Sequence, residues 1–230
     1  MDYATLLIMK IGVFDSGIGG KTIADALELA FLDDEIVYVN DRAHMPYGIK
    51  TPEEIKQLTL VAIHPLVVSG CKVIVIACNT ASTNALEFLR TSYPKVFFVG
   101  LDPMIKPAAE LTHTKVIGVC ATSATLASPT YLRLKKAWCL GMQVVEPDCD
   151  SWATYIENEQ ADKVDVEAAV HSLIHLKCDV IVLACTHYHL LKPRFEVAAP
   201  NIIILEPTDA IGRRIAHFKQ DYKLFTATIN

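Results

Sequence analysis

Apolar residues in this chain fall in short unbroken runs of strand length, separated by longer segments in which they recur at helical spacing. Ile11–Phe14, Glu35–Val39, Lys72–Ala77 and Val96–Gly100 read as strands in the first half. Lys115–Cys120, Met142–Val145, Asp179–Ala184 and Ile202–Leu205 do so in the second. Runs without polar alternation predict strands covered on both faces, as in parallel sheets. The segments between them carry helix signals. Thr51, Pro52, Glu53 and Glu54 supply an N-cap, a proline in the first turn and acidic groups beside it. Ile55, Thr59, Ala62, Ile63, Leu66 and Val67 then follow one face until Ser69-Gly70 stops it. Thr208-Asp209 opens a last helix that runs through Arg213-Arg214 and beyond. Repeated βα units of this kind predict an α/β, doubly wound architecture. The longest apolar stretches, such as Val73–Cys78 and Val96–Leu101, fall far short of the roughly 20 residues of a membrane span.

The chain also resembles itself. Cys71–Cys78 (CKVIVIAC) aligns with Cys178–Cys185 (CDVIVLAC) at an offset of 107, with six of eight positions identical and one more Ile/Leu. Ile11-Gly12-Val13 aligns with Ile117-Gly118-Val119 at an offset of 106. One buried strand matching another carries little information; two matches in the same order at nearly one offset predict an internal duplication. The expected architecture is two similar doubly wound parallel-sheet domains facing across a cleft. Residues 1–100 plus 207–230 would form the first and 101–206 the second, with the boundary near Leu101-Asp102-Pro103.

Composition removes several classes. With 230 residues, 52% apolar and 20% charged, and a mean hydropathy of +0.31, the chain fills a sizeable core and is not a disordered or collagen-like sequence. Twenty-one Lys and Arg against 26 Asp and Glu, with no basic run, argue against a nucleic-acid partner. Met1-Asp2-Tyr3 places an acid where a signal peptide carries a base, and the apolar stretch after it is short. The expected location is cytoplasmic, with no membrane partner. Met9-Lys10-Ile11-Gly12 would be a natural start of the fold, leaving residues 1–8 as an extension. Seven cysteines, an odd number without a CxxC pair or zinc-ribbon spacing, read as free thiols, most of them filling the core.

Ligands of open α/β sheets bind beyond the carboxyl ends of the strands, and four loops there carry chemistry. Asp15-Ser16-Gly17-Ile18-Gly19-Gly20 joins a strand to a helix, and its glycines allow close backbone approach to an anion. It fits neither GxGxxG nor the P-loop, and such turns are also found without any ligand. Cys78-Asn79-Thr80 and Cys185-Thr186-His187 end the two repeated strands. Either cysteine alone reads as a buried inert thiol. A pair at equivalent positions places two thiols on opposite sides of one cleft, where helix starts stabilise thiolates. Such a pair suits removal of a proton from one face of a carbon and its return on the other, which inverts configuration. Asp15 and His187 could each sit beside one cysteine and set its protonation. The fourth loop, Asn40–Gly48, presents Pro46-Tyr47-Gly48, an ordinary turn or a ligand contact, and Thr122 and Thr125 follow the strand equivalent to the one before Asp15.

Other cysteine chemistries fit less well. A phosphatase loop needs an arginine that Asn79–Asn84 lacks, and a papain-like pair leaves the second cysteine unexplained. Cys185, His187 and His189, with His171 and His175, could hold a metal, but the last two lie on a helix preceding the strand, and Cys-x-His-x-His is a weak zinc pattern. His44, His64, His113 and His217 carry no pattern.

Taken in order, Val13–Gly20, Pro46-Tyr47-Gly48, Ala77–Ser82, Ala121-Thr122-Ser123-Ala124-Thr125 and Cys185-Thr186-His187-Tyr188 resemble the glutamate racemase family, within the cofactor-independent aspartate/glutamate racemase superfamily. The resemblance runs from Ile11 to about Arg214. It implies two-base interconversion of L- and D-glutamate for peptidoglycan, without a cofactor or metal. It further implies that Cys78 deprotonates the D-isomer and Cys185 the L-isomer, with Asp15 and His187 assisting. Ser16, Tyr47, Gly48, Asn79, Thr80, Thr122, Thr125 and Thr186, with Asp15 and His187, would hold the substrate. The family's glutamate near the second cysteine matches Glu157, with Glu159 the alternative, and a homodimer is kept open.

The chain departs from the family in being shorter, and at His189, Ala184 and Lys21, where proline, glycine and an apolar residue are usual. The cysteine pair is untouched; pocket shape and specificity are what these changes bear on. The rival readings are a racemase for aspartate or another acidic amino acid, a silent ligand-binding or regulatory homologue, and a dinucleotide binder, which the missing GxGxxG disfavours.

Overall fold

Two four-stranded parallel sheets carry the molecule, and they have the same topology. In this computed structural model residues 8–229 are described, with side chains through Tyr222. The expected extension over residues 1–8 therefore lies outside the described residues except for Ile8, which is exposed. The first sheet is built from β1 (Lys10–Asp15), α1 (Gly20–Ala30), β2 (Glu35–Asn40), α2 (Pro52–Val68), β3 (Val73–Ile76), α3 (Asn79–Ser92) and β4 (Phe97–Gly100). Its strand order is β2-β1-β3-β4. The second follows with α4 (Ile105–Leu111), β5 (Val116–Cys120), α5 (Ser123–Leu126), α6 (Pro129–Trp138), β6 (Gln143–Val145), α7 (Trp152–Glu157), α8 (Val166–His175), β7 (Val180–Leu183), α9 (Thr186–His189), α10 (Lys192–Ala198) and β8 (Ile203–Leu205). Its order is β6-β5-β7-β8, and α11 (Thr208–Ile229) closes the chain.

The repeated segments are β3 and β7, each the inner neighbour of the first strand of its sheet. Ile11 pairs with Val73 and Ile117 with Val180, so the register also repeats. All four residues of β3 and all four of β7 are buried, because helices cover both faces. Ile11, Val13, Val73 and Val75 face Ile23, Leu27, Ile211 and Ile215, while Phe14, Ile74 and Ile76 face Ile55, Ile63 and Leu66. In the second sheet Ile181 and Leu183 meet Trp152, Val170, Leu173 and Phe195; Ile117, Val119 and Val182 meet Ile105, Tyr131 and Leu134. Each such buried side chain contributes about 1.5–3 kcal/mol of transfer free energy.

Local signals act as the sequence predicts. Thr51 and Glu54 form a reciprocal capping box at the start of α2, and Gly70, at φ +87°, takes the left-handed turn that ends it. The last helix returns to the first sheet, where Phe218 stacks on Phe97 with ring centroids 4.1 Å apart and Lys219 pairs with Asp34. The strand ends carrying the glycine-rich loop and Cys78 thus share one rim with those carrying Thr122 and Cys185. All seven cysteines are buried and free.

Candidate active site

The loops at this rim enclose a cleft lined by Ser16, Tyr47, Gly48, Cys78, Asn79 and Thr80 from the first half and Thr122, Asp150, Cys185, Thr186 and His187 from the second. A larger cavity of about 670 Å³ lies elsewhere, lined by Arg90, Asp102, Arg133 and Arg214 among others, and none of the candidate cysteines reaches it.

Each cysteine occupies the N-cap position of the helix after its strand. The Cys78 thiol accepts the Ala81 amide at 3.4 Å and lies 3.2 Å from the Ser16 hydroxyl. Burial, with the negative charge of Asp15 adding to it, pushes the Cys78 thiol up to about 12. Cys185 has a different neighbour: its sulfur lies 3.9 Å from His187 Nδ1. His187 Nε2 in turn lies 2.7 Å from Glu157 Oε1. Burial alone would lower the imidazole, but its hydrogen bonds to Cys185 and Glu157 outweigh that and raise it to about 10. Burial likewise works to raise Glu157, yet hydrogen bonds from His187 and the Ile18 amide, with the Arg42 charge, bring it below the usual carboxylate range. His187 is therefore a cation at neutral pH, facing one thiol and not the other.

The glycine-rich loop is shaped by contact across the cleft. A Cβ on Gly17 would fall 2.0 Å from Glu157 Oε1, and one on Gly19 would fall 2.6 Å from the His187 backbone nitrogen. Ile18 N donates to Glu157 Oε1 at 2.5 Å. The glycines are required because the second half's acid/base groups press on this backbone. Asp15 does not bond Cys78: its oxygens accept the amides of Gly17 and Gly20 at 3.1 and 3.0 Å and the Thr186 hydroxyl at 3.2 Å. Burial raises the Asp15 carboxyl despite these partners and the nearby His187. Ser16 is the group on Cys78.

The remaining residues build a polar wall. Thr80, Thr122 and Thr125 join their hydroxyls, with Thr80 and Thr122 2.9 Å apart and Thr122 and Thr125 3.1 Å apart. Gly48 packs on Thr122, where a Cβ would come within 2.8 Å. Tyr47 donates its hydroxyl to Asp41 at 2.7 Å. Asn79 is 2% exposed, and neither its amide nitrogen nor its oxygen has a hydrogen-bond partner among the described residues. A buried amide left unpaired is costly, and here it lines the cleft.

Of the two glutamates, Glu157 is buried on His187, whereas Glu159 is exposed in the turn after α7 at φ +57°. The metal alternative does not assemble: His171 and His175 lie exposed on α8, and His189 turns to the Leu183 carbonyl and Glu206. No cluster of three or more metal-ligand side chains occurs among the described residues. Arg42, Tyr38 and Asp41 belong to no motif that points to a role in the sequence. Tyr38 donates to the Gly17 carbonyl at 2.7 Å and Arg42 Nε to Glu157 Oε2 at 3.0 Å. Their only sequence signal is position, at or just after the end of a strand whose neighbour carries Asp15.

No helix among the described residues is long and apolar enough to cross a membrane. The pattern of the Asp/Glu/Hydantoin racemase family matches residues 21–214. The chain is 37% identical over 216 residues to the glutamate racemase of Roseiflexus sp. (strain RS-1), covering 92% of this chain and 79% of that one. It is 38% identical over 215 residues to the glutamate racemase of Sulfurovum sp. (strain NBC37-1), covering 90% and 81%. The crystal structure of Escherichia coli glutamate racemase in complex with L-glutamate and the activator UDP-MurNAc-ala superposes with a TM-score of 0.79 at 30% identity, over 91% of this chain and 81% of that one. The chain belongs to the Asp/Glu/Hydantoin racemase family, groups within it with the glutamate racemases, and is an isomerase.

Proposed function

We propose that this protein interconverts L- and D-glutamate by two-base proton transfer between Cys78 and Cys185, without a cofactor, and that it supplies D-glutamate for peptidoglycan in the cytoplasm. The observation that carries the reading is the placement of two thiols at equivalent strand ends of two like sheets, both lining one cleft. The sulfur of Cys185, as thiolate beside the His187 cation, takes the α-proton of L-glutamate and becomes a thiol. The Cys78 thiol then gives its proton to the opposite face and becomes the thiolate, leaving D-glutamate; the reverse reaction runs the same steps backwards. The buried, proton-bearing state of Cys78 and the cation beside Cys185 both support this starting arrangement. Asn79, the Thr80–Thr122–Thr125 hydroxyls and Ser16 supply donors for the carboxylates, and Asp15 and Thr186 offer acceptors for the ammonium group. The division into 1–100 plus 207–230 and 101–206 belongs to the same proposal, supported by the packing of α11 on the first sheet.

Incubation with L-glutamate in D₂O, followed by NMR of the α-proton and by optical rotation, tests the reading. Exchange with racemisation is expected. Cys78→Ser and Cys185→Ser should each cost on the order of 10²- to 10⁴-fold, as expected for loss of one acid/base group. Absence of exchange with glutamate, or near-native turnover in either variant, would overturn it; turnover of aspartate instead would keep the chemistry and change the substrate.

A further inference from the structure

The acid/base apparatus around Cys185 is not completed by its own half of the molecule. We propose that Arg42 is a positioning residue for proton transfer at Cys185, reaching over from the loop after β2 to hold Glu157 and, through it, the imidazole that faces the thiol. The inference rests on the racemase reading and assigns it an additional residue.

The geometry around Glu157 carries it. Oε1 is engaged twice, by His187 Nε2 at 2.7 Å and by the Ile18 amide at 2.5 Å, while Oε2 meets Arg42 Nε at 3.0 Å. The carboxylate side chain is 5% exposed. Without Arg42, its second oxygen loses the partner that opposes the pull of His187 and Ile18. Among the described salt bridges this is the one that joins the two halves. Arg42 is itself held at its backbone. It begins a 3-10 turn, Arg42–His44, and the neighbouring Asp41 donates its amide to the Asp15 carbonyl at 3.1 Å, while its carboxylate accepts the Tyr47 hydroxyl at 2.7 Å. The loop that carries Arg42 is thus fixed to two cleft residues.

The arginine side chain is 56% exposed, so solvent screens the pair and its contribution to holding the halves together is small. Its effect is directional. A guanidinium donates from a fixed plane, and a carboxylate gripped at both oxygens presents Oε1 to His187 in one orientation. The imidazole, held at Nε2, then keeps Nδ1 toward the Cys185 sulfur. Cys78 depends on none of this, since its partners are Ser16 and the Ala81 amide. Loss of Arg42 should therefore slow transfer at one thiol and spare the other.

A racemase offers a readout of that asymmetry. The equilibrium constant fixes the ratio of kcat/KM in the two directions, so Arg42→Gln should lower both equally, by about 10-fold, the scale of a modest misalignment of an acid/base group. The isotope effects should separate. With transfer at Cys185 more rate-limiting, the effect on kcat/KM rises for L-glutamate deuterated at the α-carbon and falls for the D-isomer. Arg42→Lys, which keeps the charge, should recover part of the rate. Independently of turnover, the ¹⁵N resonances of His187 should shift in Arg42→Gln. Unchanged turnover, isotope effects that move alike for both isomers, or unmoved His187 resonances would overturn the proposal. An inactive native enzyme would instead overturn the racemase reading, and the His187 resonances would still decide whether Arg42 holds the pair.

Discussion

Gly17→Ala isolates the contact on which the second thiol's partner depends. The added methyl carbon would sit 2.0 Å from Glu157 Oε1 and 2.6 Å from His187 Nε2, inside the 2.7 Å hydrogen bond between them. The backbone at Gly17 is not left-handed, so the change is steric, and the Glu157 carboxylate, held by hydrogen bonds at the end of a side chain and not by the backbone, is what yields. A displaced carboxylate gives up the Ile18 amide and the imidazole, two charge-assisted bonds worth about 1.5–3 kcal/mol each when broken outright. Arg42 still holds the other oxygen and water enters, so a net loss of about 2 kcal/mol is expected, which lowers Tm by roughly 4–8 °C in a chain of this size. The kinetic loss should be larger in proportion. Once Glu157 releases the ring, His187 Nδ1 no longer points at Cys185, and a misplacement on the order of 1 Å costs about 10²-fold. Racemisation followed by circular dichroism, with thermal unfolding in parallel, checks both numbers. A Gly17→Ala protein with native turnover would show that the His187–Glu157 contact is not needed for transfer at Cys185. Gly141→Ala serves as the control: its φ is +74° and a Cβ there meets nothing, so it should lower stability through backbone strain and leave turnover intact.

Two more outcomes follow from the same wall and the same imidazole. Asn79→Leu removes a buried amide that has no partner among the described residues, so unfolding by heat should show equal or higher stability, while KM for glutamate rises by about 100-fold; a destabilised variant with native KM would contradict the role given to Asn79. His187 is raised from 6.5 to about 10, so the folded protein keeps a proton that the unfolded chain releases near 6.5. Its stabilising contribution is complete below about pH 6.5 and disappears as pH climbs through about 10. Denaturant melts of the native protein and of His187→Gln should therefore converge across that window, and curves that stay parallel would count against the charged imidazole.

Much of the frame was legible because buried parallel strands announce themselves. Cys71–Cys78 and Cys178–Cys185 had to be apolar on both faces, and their near identity located β3 and β7 to within a residue of each end. The cysteines were legible for a related reason, since the strand ends where the apolar run meets small polar residues. What sequence could not convey was who touches whom across the cleft. Arg42 and Glu157 are 115 positions apart, one in a loop of the first half and the other on a helix of the second, and no local pattern links them. Asp15 looked like the companion of Cys78, yet its oxygens turn to loop amides and Thr186, a choice made by how the loop folds back on its own strand. Glu157 and Glu159 differ only by where a short helix stops, and burial separates them.

The equivalence of β1 with β5 and of β3 with β7 sets up a position-by-position correspondence between the two sheets, and the correspondence maps Cys78 onto Cys185. It does not map the helpers. The same superposition of registers places Asp15 on Ala121, and His187 on Thr80. Two copies of the first half would repeat the Asp15 carboxylate with threonine in place of the His187 imidazole, and two copies of the second would repeat that imidazole with alanine in place of the Asp15 carboxylate. The joined chain therefore holds two like thiols in unlike surroundings, and because Gly17, Ile18 and Arg42 of the first half press on or hold the group beside Cys185, a substitution in one half can retune the thiol of the other.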